Sequence, residues 1–321
     1  MSGKLETQKL SGFLKKNSMI VFSVILIMFS AMFVPRFIEL TNLMNVLMQI
    51  AINALLATGM TFVILSGGID LSVGSVAALT GILAAFVIKL FPDASVLTSI
   101  LVILGSALLI GSVCGGIIAV NVSKLKVTPF IATLAMMSIT RGLAYVFTQS
   151  RPVFGLPDSF SWLGIGYIGP IPVMVIVMIL VLLTAHIILT RTCFGRYVYA
   201  VGSNEEVAEL SGINTVKIKF YVYMICSILA ALGGAALASR LQAGQPAAAQ
   251  GYELNAIAAV AMGGTSMSGG RGGIAQTVLG LIIIGVINNA LSLLGVSSYW
   301  QTITMGVIIL IAVIFDQNKS R

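Results

Sequence analysis

The sequence predicts an all-α fold, a polytopic transmembrane bundle of about 10 spans with both termini cytoplasmic, and three observations carry that expectation. Hydrophobic residues make up 58% of the 321, charged residues only 9%, and mean hydropathy is +1.06. A water-soluble fold of this length needs more charge on its surface. The apolar residues fall in runs close to the roughly 20 that cross a bilayer as a helix. The breaks between those runs collect prolines, glycine pairs and most of the charge.

The first run, 19–34, follows Lys4, Lys9, Lys15 and Lys16. Secretory signals share that order, but this run is long and has no clear small-x-small cleavage site, so it reads as an uncleaved first span. The next runs are 43–65, 72–91, 96–120, 128–148, 172–189, 219–240, 253–266, 273–291 and 299–315. The 253–266 run is short, rich in small residues and polar at its edges, as a half-helix or re-entrant segment would be. Pro35, Pro92 and the group Pro152, Pro157, Pro170 and Pro172 break helices between spans. Trp162, Tyr167 and Trp300 suit interface positions. The loop 149–171 carries few charges and is expected to pack against the outer mouth. These elements form one transmembrane domain, 19–315, between an N-terminal segment 1–18 and a tail 316–321.

The basic residues set the sidedness. With the N-terminus inside, the inner side holds Lys4, Lys9, Lys15, Lys16, Lys124, Lys126, Arg191, Arg196, Lys217, Lys219, Arg271, Lys319 and Arg321. The outer side holds Arg36, Lys89, Arg141, Arg151 and Arg240, and Arg141 is expected to snorkel outward. Cytoplasmic loops hold the excess of Lys and Arg, so both termini lie inside. The net charge of +8 is spread singly and in pairs along the chain, which fits topology and not nucleic-acid binding. Cys114, Cys193 and Cys226 are widely spaced and read as ordinary thiols, and no metal-ligand spacing occurs.

The one sizeable charged interruption is 191–219, within which 191–218 forms a cytoplasmic loop. It gathers Arg191, Arg196, Glu205, Glu206, Glu209, Lys217 and Lys219. Ser203 with Glu206 three residues on fits a capping box. Gly212 can end the short helix in a left-handed conformation. Val207, Ala208 and Leu210 give it a small apolar face. A capped helix outside the bilayer invites a partner protein.

Two glycine-rich breaks echo one another. Gly67-Gly68-Ile69-Asp70-Leu71-Ser72-Val73-Gly74 separates two apolar runs, and Gly263-Gly264-Thr265-Ser266-Met267-Ser268-Gly269-Gly270 does the same later. Paired broken helices point toward a transport pathway, or glycines simply let helices approach closely. Asp70 either meets a cation or proton at depth or caps the following helix with Ser72. A proton-coupled secondary sugar carrier using Asp70 is therefore the alternative mechanism. Asn45, Gln49 and Asn53 recur at four-residue spacing on one helix face, and Asn288 and Asn289 lie in a later span. Amides donate and accept, which suits sugar hydroxyls, and they equally join helices. The sequence contains no G-x-x-x-x-G-K-[ST], G-x-S-x-G or H-E-x-x-H, so nucleotide cradling and catalysis by this chain are not expected. The single histidine, His186, reads as an interface residue.

Longer motifs then carry a resemblance. GMTFVILSGGIDLSVGS (59–75), PFIATL (129–134), FGRYVYAVGSNEEVAELSGI (194–213), GYELNAIAAV (251–260), GGTSMSGGRG (263–272) and NNALSLLGVSSYWQ (288–301) are similar to the permease subunits of bacterial ATP-binding-cassette sugar importers. The nearest of these carry ribose, and others with similar motifs carry galactosides, xylose, arabinose or signalling sugars. The resemblance implies an inner-membrane permease that works as two copies, a cytoplasmic ATP-binding subunit and a periplasmic sugar-binding protein. ATP and Mg would be bound by the partner subunit, with no cofactor on this chain. It further implies that Asn204, Glu205, Glu206, Ala208, Glu209, Leu210, Ser211 and Gly212 form the ATPase-coupling helix. Asn255 stands where relatives usually carry Asp, and Gly244-Gln245-Pro246 replaces a more usual Ala-Gln-Pro.

Overall fold

The structure, a computed structural model, describes residues 18–319. Most of the 1–18 segment, with its four lysines, and the last residues of the 316–321 tail lie outside the described residues. The long helices are α1 (Ser18–Phe33), α2 (Leu40–Leu65), α3 (Val73–Ile88), α4 (Val96–Ser123) and α5 (Pro129–Thr148). After a 3-10 turn at Asp158–Ser161 come a one-turn α6 (Trp162–Ile165) and a hairpin of β1 (Tyr167–Ile168) and β2 (Ile171–Pro172). The chain continues as α7 (Val173–Arg191), α8 (Cys193–Ser203), α9 (Glu205–Leu210), α10 (Thr215–Leu241), α11 (Tyr252–Met262), α12 (Ile274–Leu293) and α13 (Ser298–Lys319).

Each apolar run falls on a helix. Six helices among the described residues are long and apolar enough to cross a membrane: α2, α4, α5, α7, α10 and α12. Helices α1, α3 and α11 are apolar but shorter. The 11 residues of α11 rise only about 16 Å, half of a hydrocarbon core. The expected half-helix thus ends at Met262.

Two helices make the interior. In α2, 83% of the apolar window is buried, and it is covered by α7, α10, α11 and α12. Helix α10 packs against α2, α3 and α4. Close approach is what permits this: a Cβ on Gly234 of α10 would collide with the Ala77 backbone of α3. Without water to drive association, small residues let backbones meet and gain dispersion contact.

The loops gather at two ends. At one end, Lys89 donates to the Phe154 carbonyl at 3.0 Å, and Val153 pairs with Gly244. The loop 149–171 is fastened there on α10, since Ser239 Oγ donates to the Phe160 carbonyl and accepts from Gly164 N–H. Arg141 reaches toward this same end, where its guanidinium donates to the Pro246 and Ala248 carbonyls of the 242–251 loop at 2.8 and 2.9 Å. At the other end meet the 66–72 break, the 124–128 loop, the 192–214 segment and the 263–273 break.

Candidate functional site

At this second end the chain leaves α8 and starts α9. The cap is Asn204, not Ser203. Asn204 has an extended backbone (φ −164°, ψ 110°), and its Oδ1 accepts from Val207 N–H at 3.0 Å. Ser203 remains the last residue of α8, its hydroxyl turned back to the Tyr199 carbonyl at 2.8 Å. An extended Asn places its short side chain over the free N–H groups of the next turn, whereas a helical Ser cannot. Gly212, at φ +82°, ends the element, and Ile213 N–H reaches the Ala208 carbonyl at 3.0 Å.

The six residues of α9 divide into two faces. Ala208 is buried. Glu205 is held by Lys219 of α10 and lies 3.8 Å from Lys126 of the 124–128 loop. Glu209 accepts from the Thr215 hydroxyl at 2.9 Å. These contacts fix α9 to the bundle. Glu206, Val207, Leu210 and Ser211 face outward, with Leu210 89% and Val207 56% exposed. The outward face of α9 thus sets an exposed leucine beside a free carboxylate, on a helix pinned from behind.

The amides separate into three fates. Gln49 and Asn53 of α2, Asn255 of α11 and Asn288 of α12 line one small cavity, walled by Ile50 and Ile284. It has about 10 Å³ of room for a water's centre, enough for one molecule. Asn53 is 8% exposed, and its Oδ1 has no hydrogen-bond partner in the chain. Asn289 lies elsewhere: it exchanges two hydrogen bonds with Asn42, at 2.8 and 3.0 Å, joining α12 to α2. Asn45 is exposed. Four convergent amides can meet a hydroxyl in either sense, as donor or acceptor. Asn42 escaped the sequence reading, and Asn255 was noted there only for standing where relatives usually carry Asp. Asn255 stood at the polar edge of a small-residue run, and Asn42 just before the apolar window.

In the first break, Gly67 has φ +82°, and in the second Gly264 has φ +99°, so each turns the chain in a way other residues resist. A Cβ on Gly68 would strike the Tyr223 hydroxyl, and one on Gly263 the Gln276 carbonyl. Asp70 is fully buried and accepts from Ser72 N–H at 2.8 Å and Ser72 Oγ at 2.6 Å. Its contact is thus with the first residue of the α3 cap, one step before the helix N–H groups. Its other oxygen, Oδ2, is buried without a hydrogen-bond partner in the chain. The two breaks touch: Gly270 N–H donates to the Leu65 carbonyl at 3.0 Å.

Fold and site together define a multi-pass helical membrane protein with four amides around a small cavity in its bundle and a short, partly exposed helix at one end. Residues 42–313 match the family described as branched-chain amino acid transport system / permease component, and the chain belongs to that family. It is 44% identical to the ribose import permease protein RbsC of Escherichia coli K12, over 98% of this chain and 100% of that one. It is 46% identical to RbsC of Bacillus subtilis 168, covering 92% of this chain and 91% of that one. The L-arabinose transport system permease protein AraH of E. coli K12 is 37% identical over 94% of this chain and 90% of its own. No solved structure matches the chain.

Proposed function

We propose that this chain is the membrane-spanning permease subunit of an ATP-binding-cassette importer that brings ribose across the bacterial inner membrane. The observation that carries this is 44–46% identity to ribose import permeases along nearly the whole chain. The energy comes from a separate ATP-binding subunit, and sugar arrives on a periplasmic binding protein. Two copies of the chain enclose the path, each crossing the membrane about ten times with both termini inside. The loop end containing α9 then lies in the cytoplasm, in line with its basic residues.

In this reading α9 (with Asn204 to Gly212) is the coupling helix, and its outward face takes up the ATPase. Gln49, Asn53, Asn255 and Asn288 are the pathway residues, where amides exchange hydrogen bonds with sugar hydroxyls. Asn45 sits on the same α2 face outside the cavity. Asn289 serves packing through Asn42. Alternating access requires ATP-bound and ATP-free partners to favour different permease conformations, and the differential contact at α9 supplies that bias.

The test is co-expression of the chain with its ATP-binding and binding-protein partners and purification of the assembly. A single complex whose ATP hydrolysis rises with ribose-loaded binding protein is expected. Hydrolysis indifferent to ribose, or no complex, would reject the assignment.

Asp70 gives a second check. Asn at this position keeps an acceptor for both Ser72 bonds, while Ala removes it. Asp70→Ala should lower unfolding stability by about 1–3 kcal/mol, and Asp70→Asn should keep ATP-driven uptake. Uptake in vesicles, driven by ATP or by an imposed proton gradient, reads this out. A folded Asp70→Asn protein that no longer transports would restore an ion-carrying role for the carboxylate.

A further inference from the structure

We infer that Tyr199 and Gly202, in the stem of α8 leading to α9, are positioning residues that tie the coupling helix to all three helices carrying the cavity amides. The inference rests on α9 being the ATPase contact.

Helix α2 carries Gln49 and Asn53 and ends at Leu65. Helix α11 carries Asn255 and ends at Met262, and α12 carries Asn288 and begins at Ile274. Their ends away from the cavity are therefore the two glycine-rich breaks, and those breaks meet at Gly202. The Leu65 carbonyl accepts from Gly270 N–H at 3.0 Å. A Cβ on Gly202 would collide with that same carbonyl oxygen and press on Gly270 N at 2.9 Å. One on Gly269 would meet Gly202 O at 2.7 Å and Gly67 N at 3.1 Å. The Tyr199 hydroxyl donates to the Gly272 carbonyl at 2.8 Å, one residue before Gly273 and the start of α12.

The second break is itself a closed loop. Ser266 N–H donates to the Arg271 carbonyl at 2.9 Å, and Gly273 N–H to Thr265 Oγ1 at 3.2 Å. Gly269, Gly270 and Gly272 have φ of +86°, +70° and +119°, a path that side-chain-bearing residues resist. Contact at Gly202 itself is therefore backbone on backbone, so a displacement of the stem there bears directly on Leu65 and Gly270. Asn204, two residues beyond Gly202, caps α9. A shift of α9 thus reaches the near ends of α2, α11 and α12 together, and the cavity at their far parts responds.

Two substitutions test this in the complete importer in vesicles, supplied with ribose-loaded binding protein. Tyr199→Phe removes one hydroxyl and adds no atom. Gly202→Ala inserts a methyl group into the junction. The readout is ribose moved per ATP hydrolysed, together with co-purification of the ATPase subunit and thermal stability. Both variants should retain the ATPase and its basal hydrolysis. Losing one hydrogen bond should lower the transport ratio about threefold in Tyr199→Phe, and breaking the junction should lower it more than about tenfold in Gly202→Ala. Tyr197→Phe, an exposed tyrosine on the same helix, should leave it unchanged. If Gly202→Ala fails to fold, Tyr199→Phe decides alone. A wild-type-like ratio in folded Tyr199→Phe, or a lower ratio that follows lost stability or lost ATPase, overturns the inference. A wild-type assembly that ignores ribose instead rejects the underlying assignment of function, and the two failures are distinct.

Discussion

Val207→Asp combined with Leu210→Asp is expected to remove the ATP-binding subunit from the purified complex and to lower uptake by more than about 100-fold, as loss of central apolar anchors does at protein interfaces. These two side chains are the exposed apolar part of α9, with Leu210 89% exposed. They touch little of their own chain, so aspartate there costs little folding stability and insertion should be normal. The charged residues differ among themselves. Glu205 is committed to Lys219, and Glu209 to Thr215. Glu206 is the carboxylate left facing out. Glu206→Lys alone should therefore weaken coupling about three- to tenfold, by placing the wrong charge against the partner. Glu209→Lys should act through loss of the Thr215 contact and show as reduced stability. Co-purification, uptake and melting measured on all three would separate these roles. Undiminished uptake in the double aspartate variant would remove α9 from the coupling path.

The second large effect is expected at the cavity. Asn53→Leu should lower ribose uptake about 10- to 100-fold while leaving the folded protein as stable as before, or more so. The two directions have one cause. Asn53 Oδ1 is buried without a partner in the chain, and an unmet buried acceptor destabilises by about 1–3 kcal/mol. Leucine fills similar space without that penalty, yet it offers nothing to a sugar hydroxyl. Asn255→Leu, in the same cavity, should lower uptake more weakly. By contrast, Asn289→Leu strands Asn42 and should cost stability first. Uptake with radiolabelled ribose and unfolding in detergent measure the two quantities independently. If Asn53→Leu lowers stability and leaves transport intact, the amides belong to helix packing and the pathway lies elsewhere.

Much of this was legible in the chain. Apolar length located the helices, because a run of such residues in a membrane leaves the backbone only itself to bond with. Charge found the α9 loop for the same reason, since Glu205, Glu206 and Glu209 could not share the bilayer. The cap was misread because Ser203 and Asn204 are both good cap residues, and the choice depends on where α8 ends. Four-residue spacing put Asn45, Gln49 and Asn53 on one face. It could not tell which of them faces a neighbour, because that depends on α11 and α12, roughly two hundred residues later in the chain. The Asn288–Asn289 pair shows the same limit. Adjacent residues on a helix point about 100° apart, so one enters the cavity and the other reaches α2. Glycine content marked both breaks, but their meeting at Gly202 is a matter of tertiary approach that no local pattern records.

The burial of α2 has a consequence for how the protein is made. Synthesis is vectorial, and α2 enters the bilayer before α7, α10, α11 or α12 exists to cover it. Until Tyr252–Met262 has emerged, Gln49 and Asn53 lack the helix that later faces them. Amides in hydrocarbon seek any partner that will bond them, including helices of other chains. The amides that line the cavity of the finished protein therefore make its half-built form adhesive. The late helices close off that hazard in the act of building the cavity.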